Sequence, residues 1–233
     1  MGSEAKKEVK HLLVDLDGTL YRSAQLFADV RANIEGYFTR VLGLTPEDAA
    51  KESGRLYREY GLTVVGLINE NYDVDLADWH KQVHGALNYE ALLPKNPPLR
   101  ELLDSLPMPK YIFTNADREH AKVCLEHIGI KECFEDIISF DCIVEEAKAS
   151  DDAGNGGKVF CKPELKAFEY ALKRANADAE ATMFLDDSVP NIMGAKAAGL
   201  QTVLVGKKEL CEGADHAIEN FVHLKEAAPY LWQ

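Results

Sequence analysis

The sequence predicts an α/β protein: a parallel sheet covered by helices on both faces, with a block of helices inserted behind its first strand. Three observations carry that reading. Short apolar runs at 11–14, 110–115, 137–140, 182–186 and 202–205 read as strands, and stretches of helical periodicity separate them. Alternation of strands with helices calls for a parallel sheet buried on both faces. Between residues 21 and 93 no run reads as a strand, so that whole stretch is expected to be helical.

Each element has its own signal. After the first strand, Leu26, Val30, Ile34, Phe38 and Val41 fall on one helix face and predict a helix over 26–42. Thr45-Pro46-Glu47-Asp48 is a helix start, with a capping hydroxyl, a proline in the first turn and early acids. That helix is expected to run to Tyr60 and stop at Gly61. A further helical stretch follows Asp75 through Trp79 and Val83 to Ala91. Pro94, Pro97 and Pro98 punctuate the return, followed by a short helix over 99–106 and the strand at 110–115. A helix over 117–128 ends at Gly129, and a third strand covers 137–140. Residues 145–158, acidic and glycine-rich, read as a solvated loop. A helix over 164–174 presents Leu165, Phe168 and Leu172 on one face. The strand 182–186, a helix over 188–198 ending at Gly199, the strand 202–205 and a weak edge strand near 217–218 complete the chain.

At 233 residues, with 46% hydrophobic and 28% charged residues, the chain has room for one α/β domain carrying a smaller insert. Its formal net charge of −13 argues against a nucleic-acid groove or an anionic membrane as partner. Five cysteines, an odd number without a CxxC pair, fit reduced thiols in a cytoplasmic setting better than a disulfide framework. Residues 1–10 are charged and show no secretory signal, and no apolar run approaches membrane-spanning length. A soluble, cytoplasmic protein is expected.

The chemistry concentrates where the first strand ends, in Asp15-Leu-Asp17-Gly18-Thr19-Leu20. Two carboxylates one residue apart converge above the carboxyl end of a strand, where open α/β sheets hold their ligands. One can attack phosphorus and form an aspartyl-phosphate; the other can protonate the leaving oxygen and later deprotonate water. Such a site needs a hard divalent cation against an anionic substrate, and magnesium suits it. The bland alternative is a strand followed by an Asp-Gly turn. Thr114-Asn115 ends another strand and can donate to phosphate oxygens, or simply cap the next helix. Lys162 precedes a helix, where an ammonium can neutralise a carboxylate nucleophile together with phosphoryl oxygens. Asp186-Asp187 are paired acids at a buried strand end, which a metal explains better than helix capping does; Asn191 is spaced to hold them or Lys162.

In this order, Asp15-Leu-Asp17-Gly-Thr-Leu, Thr114-Asn115, Lys162-Pro163 and Asp186-Asp187-Ser-Val-Pro-Asn191 resemble the four motifs of the haloacid dehalogenase (HAD) superfamily of phosphohydrolases, across nearly the whole chain. The resemblance implies a Rossmann-like parallel sheet core (residues 1–21 and 94–233) with an inserted α-helical cap (22–93). It also implies a nucleophile at Asp15, an acid/base at Asp17 whose backbone carbonyl touches Mg2+, phosphate binding at Thr114 and Asn115, charge stabilisation at Lys162, and metal ligands at Asp186 and Asp187. The runs Leu56-Tyr57-Arg58 to Leu67, Trp79-His80 to Gly85 and Asn88-Tyr89-Glu90 look like the cap of the pyrimidine 5′-nucleotidase branch of plants and fungi. A nucleoside 5′-monophosphate substrate follows, pyrimidine favoured, with purine monophosphates such as xanthosine monophosphate and sugar phosphates as alternatives. Tyr57, Tyr60 and Thr63 are candidates to meet base or ribose, and Arg58, His80 and His84 are polar candidates; packing is the competing role for each. The expected form is a monomer or homodimer. A dehalogenase would leave Asp17 and the Asp186-Asp187 pair without a task. A phosphomutase and a non-catalytic binding protein on the same fold are the remaining alternatives.

Overall fold

The apolar run His11–Val14 forms β1, near the middle of a sheet in which every pairing is parallel. The computed structural model describes residues 8–149 and 158–233. Behind β1 come α1 (Ala24–Arg40), α2 (Pro46–Tyr60), α3 (Thr63–Asn69), α4 (Leu76–Val83) and α5 (Tyr89–Leu92), with no strand among them. Then follow α6 (Pro97–Ser105), β2 (Lys110–Phe113), α7 (Arg118–Ile128), β3 (Asp136–Ile138), α8 (Phe140–Ala149), α9 (Leu165–Ala175), β4 (Thr182–Asp186), α10 (Val189–Ala197), β5 (Gln201–Val205), β6 (His216–Ile218) and α11 (Leu224–Ala227). The strand order is β3-β2-β1-β4-β5-β6. The α/β class and the strand-free block behind β1 are as the sequence predicts, and the sheet is Rossmann-like.

The period-two alternation of each strand feeds two separate cores. Leu12, Val14, Ile112, Met183, Leu185, Val203 and Val205 pack with α6, α7 and α11 on one face. Leu13, Phe113, Ile138, Phe184 and Leu204 pack on the other with α8, α9 and α10. That second core continues into the helical block through Phe38, Leu56, Val64, Trp79 and Val83. The block is also tied to the first core, through Leu26 of α1. Each fully buried Leu or Phe here stabilises the fold by about 1.5–3 kcal/mol relative to exposure.

The start of α2 follows its sequence signal: the Thr45 hydroxyl accepts from the Asp48 N–H at 3.2 Å, a cap worth about 1 kcal/mol, and Gly61 closes the helix at φ +75°. Three expectations are corrected. The third strand is only Asp136–Ile138, and Phe140 opens α8, which takes residues 145–149 out of the expected loop. Phe140, Cys142, Ile143 and Val144 are buried, so packing overrides the weak helix propensity of that β-branched stretch. Residues 150–157 of that loop lie outside the described residues, as do residues 1–7 of the charged N-terminus. The single helix expected over 76–91 breaks at His84–Asn88 into α4 and α5, the second capped by the Asn88 side chain. Leu165 sits in the first turn of α9 half exposed (50%), while Ala167, Phe168, Tyr170 and Ala171 make the buried face. None of the described helices is long and apolar enough to cross a membrane.

Candidate active site

β1 ends at Val14, and the Asp15 N–H makes one more sheet-like bond, to the Leu185 carbonyl at 2.9 Å. The Asp15 carboxylate is thereby fixed just past the carboxyl ends of the strands. It accepts from Lys162 Nζ at 2.7 Å and from the Thr19 hydroxyl at 3.1 Å. The chain next folds into a tight loop in which the Gly18 N–H donates to the Tyr21 carbonyl at 3.1 Å. Gly18 has φ +86°, and a Cβ there would collide with the Asp187 carboxylate. The backbone favours glycine there, and any Cβ would displace the Asp187 carboxylate.

Lys162 arrives from 147 residues away and is 1% exposed. Its ammonium donates to Asp15, to Asp186 Oδ2 at 2.8 Å and to the Phe113 carbonyl at 2.8 Å, which uses all three protons. The rings of Phe113 and Phe184 flank it, with centroids at 5.1 and 5.2 Å. Burial opposes the charge, but Asp15 and Asp186 outweigh it and raise the pKa above the usual lysine value. Asn115 holds the backbone of Lys162 at both ends: its Nδ2 donates to the Lys162 carbonyl, and its Oδ1 accepts from the Lys162 N–H, each at 3.0 Å. Both polar ends of the Asn115 amide are thus turned to Lys162, although the sequence pattern suggests a phosphate contact. The Thr114 hydroxyl accepts from the Ala116 N–H at 3.0 Å and keeps its own proton to donate. Asp186, with no exposed surface, is held by the Ser188 N–H at 2.8 Å and by Asn191 Nδ2 at 3.1 and 3.0 Å.

Oxygens of Asp15, Asp186 and Asp187 lie within 4.8 Å of one another. Burial raises the pKa of Asp15 well above the usual carboxylate range, Asp186 and Asp17 adding to it against the pull of Lys162. Burial, with the charge of Asp186, pushes Asp187 up to about 6. One ammonium does not balance these acids, and an all-oxygen donor set at this spacing fits a hard divalent cation. The Asp17 carboxylate stands outside this cluster. It accepts from Tyr21 and from His120 Nε2 at 2.9 Å. Burial works to raise its pKa, but the charge and hydrogen bond of His120 prevail and lower it.

A second cluster joins the helical block to the sheet domain. His84, at the end of α4, bonds Asp117, which also caps α7 by accepting from the His120 N–H at 2.9 Å. His80, one turn earlier, lies 3.3 Å from Asp117 and 3.2 Å from Asp141, within ion-pair reach but without hydrogen-bond alignment. Burial opposes its charge, yet the two carboxylates raise its pKa to about 9.

Between block and sheet lies a cavity of about 950 Å³ that reaches Asp15, Asp17, Lys162 and Asp187. Tyr57, Arg58, Tyr60 and Thr63 all line it. Tyr57 stands at its rim, 60% exposed. The Tyr60 hydroxyl donates to Glu70 at 3.1 Å and that of Thr63 to the Ser53 carbonyl at 3.4 Å, so both are occupied within the block. Sequence reasoning did not reach His120, Tyr21 or the clasp role of Asp117. The spacing Asp117-x-x-His120 at a helix start was the available signal, since it puts both side chains on one turn.

With the geometry in view, the comparisons are consistent with it. The family model described as haloacid dehalogenase-like hydrolase matches residues 9–199. Phosphate metabolism protein 8 of Saccharomyces cerevisiae is 29% identical over 91% of this chain and 65% of its own length. The bifunctional riboflavin kinase/FMN phosphatase of Arabidopsis thaliana is 25% identical over 97% of this chain and 57% of its own length, so the chain spans less than two thirds of both relatives. The glyceraldehyde 3-phosphate phosphatase of Methanocaldococcus jannaschii is 26% identical, covering 85% of this chain and 86% of its own. A HAD phosphatase structure from Thermococcus onnurineus has the same fold at 18% identity, with a TM-score of 0.61 over 94% of this chain and 97% of its own. The chain belongs to the haloacid dehalogenase-like hydrolase family.

Proposed function

We propose that the chain is a phosphomonoester hydrolase that works through an aspartyl-phosphate at Asp15. The single observation behind this reading is the meeting of Lys162 and Asp15 at 2.7 Å beside the Asp186 and Asp187 carboxylates. Asp15 attacks phosphorus as the ester oxygen departs, and the bond to the leaving group breaks. The approach of an anionic phosphoryl group raises the proton affinity of Asp17, which takes up a proton from solvent and passes it to the leaving oxygen. Asp17 then takes a proton from water, which attacks the phosphorus and releases phosphate and free Asp15. Lys162 offsets the charge on Asp15 and the phosphoryl oxygens, and the Thr114 hydroxyl donates to those oxygens. Asp15, Asp186, Asp187 and the Asp17 carbonyl would hold Mg2+, which when bound would supply Lewis-acid polarisation of the phosphoryl group.

The substrate proposed is a nucleoside 5′-monophosphate, pyrimidine favoured, with the helical block as a cap of the plant and fungal 5′-nucleotidase type. The resemblance of the cap runs supports this, as does a cavity within the range of about 300–1,000 Å³ usual for small-molecule sites. Tyr57, Arg58, Tyr60 and Thr63 are its proposed contacts to base and ribose. A sugar phosphate is the second reading, favoured by the glyceraldehyde 3-phosphate phosphatase among the relatives. All five cysteines are free, which supports a reducing compartment such as the cytoplasm. The test is phosphate release over a panel of nucleotides and sugar phosphates, with magnesium and with chelator, for wild type and Asp15→Asn. Magnesium-dependent release that Asp15→Asn abolishes is expected. Near-normal turnover by that variant would overturn the mechanism.

A further inference from the structure

The side of Asp17 facing the helical block is built from groups that phosphoryl transfer itself does not use. His120, in the first turn of α7, has a side chain 1% exposed. Its Nε2 lies 2.9 Å from Asp17 Oδ1, and its Nδ1 lies 2.8 Å from the Tyr89 hydroxyl oxygen. Tyr89 belongs to α5, and its hydroxyl also reaches the His84 carbonyl at 3.0 Å. The His84 ring packs on that of His120 at a centroid distance of 4.4 Å.

Proton counting settles the direction of the bonds at Tyr89. A carbonyl only accepts, so the one hydroxyl proton of Tyr89 goes to His84. The Tyr89 oxygen must then accept from His120 Nδ1–H. Asp17 Oδ1 faces the other ring nitrogen, Nε2, at 2.9 Å. Each ring nitrogen of His120 thus has one partner, the carboxylate on one side and the helical block on the other. Tyr21 bonds the same Asp17 oxygen from the sheet domain.

We propose that His120 is a positioning residue for Asp17, aiming its carboxylate at the leaving-group oxygen, and that Tyr89 fixes His120 so that seating the helical block also aims the proton carrier. The assignment rests on the phosphatase reading and extends it. It gives the block a part in the chemistry beyond contact with the leaving group. Loss of His120 leaves the Asp17 carboxylate held by Tyr21 alone and loosens its aim, which matters only where the departing oxygen needs a proton.

The test is the rate of leaving-group release in the first turnover, read before the aspartyl-phosphate hydrolyses, with magnesium present. Two substrates are compared: a nucleoside 5′-monophosphate, whose alkoxide leaves poorly, and p-nitrophenyl phosphate, whose phenolate leaves unaided. His120→Ala is expected to slow release from the nucleotide by about 10²-fold, the lower end of general acid catalysis, and from the aryl ester far less, by about threefold. His120→Gln, which keeps an N–H donor, recovers part of the loss. Tyr89→Phe keeps its ring and the packing of α5, and is expected to show the same selectivity at about fivefold, the worth of one hydrogen bond. Equal slowing on both esters in His120→Ala and Tyr89→Phe would overturn the assignment, as would a change in KM alone. Wild-type protein that releases neither leaving group would overturn the phosphatase reading itself, an outcome distinct from equal slowing.

Discussion

The two walls of the cavity are built differently. On the sheet side, Asp15, Lys162 and Asp186 are at most 6% exposed, and each is held by hydrogen bonds from loops that directly follow strands or precede helices. On the helical side, Tyr57 is open to solvent, Tyr60 and Thr63 spend their hydroxyls inside the block, and His80 and His84 reach across to carboxylates of the sheet domain. The first wall is a buried charge arrangement preorganised by its hydrogen bonds. The second is a surface whose groups are set by helix packing, with freedom to differ in shape. On the proposed reading, the first wall carries the reacting groups and the second meets the leaving group, with Tyr89 the one link from the block to Asp17 by way of His120.

Breaking the sheet wall has the largest expected effect. Lys162→Met leaves Asp15 and Asp186 buried without their shared counter-charge, which costs about 3–5 kcal/mol of stability. It also lowers phosphate release by about 10²–10³-fold. Denaturant unfolding with and without magnesium checks the first part, and the divalent cation is expected to restore some of the loss. Next comes Gly18→Ala. The left-handed backbone at position 18 and the collision with Asp187 cost about 1–3 kcal/mol. Displacement of Asp187 weakens magnesium binding by about 10-fold, to be read by titration calorimetry.

The helical wall is expected to respond in another currency. Tyr57→Ala, at an exposed rim, leaves stability within about 0.5 kcal/mol. It raises KM for a nucleotide by about 2–10-fold at unchanged kcat, the value of an aromatic contact. An unchanged KM would remove Tyr57 from the leaving-group surface. The smallest effect concerns the His80 clasp. With its pKa raised from 6.5 to about 9 by Asp117 and Asp141, protonated His80 stabilises the folded chain fully below pH 6.5. That contribution is lost as pH rises through about 9. The difference in unfolding free energy between wild type and His80→Gln is therefore expected to be about 1 kcal/mol or less at low pH and to vanish above pH 9.

The same division explains what was legible in the sequence. The strands β1, β2, β4 and β5 announce themselves, because a buried parallel strand is a short apolar run, and so do the acids that end β1 and β4 and the Thr114-Asn115 pair that follows β2. Thr45 and Gly61 bracket α2 with their side-chain and backbone chemistry. By contrast, α3 (TVVGLIN) and α8 (FDCIVEEAKA) consist largely of β-branched or apolar residues that form helices only because packing buries them. Asn115 shows the limit of motif reading at a site: its position is marked, but its bonds to the Lys162 backbone follow from a contact 47 residues away. For His120 the sequence offers only its spacing from Asp117 at a helix start, because its partners Asp17 and Tyr89 lie 103 and 31 residues away.

The central claim is that Asp15 becomes phosphorylated. The direct measurement is acid quenching during turnover of a nucleoside 5′-monophosphate with magnesium, followed by mass mapping of the phosphorylated peptide. A phosphoryl group on Asp15, absent from Asp15→Asn and longer-lived in Asp17→Asn, is the predicted result. A covalent adduct on another residue, or turnover that survives in Asp15→Asn, would contradict the account.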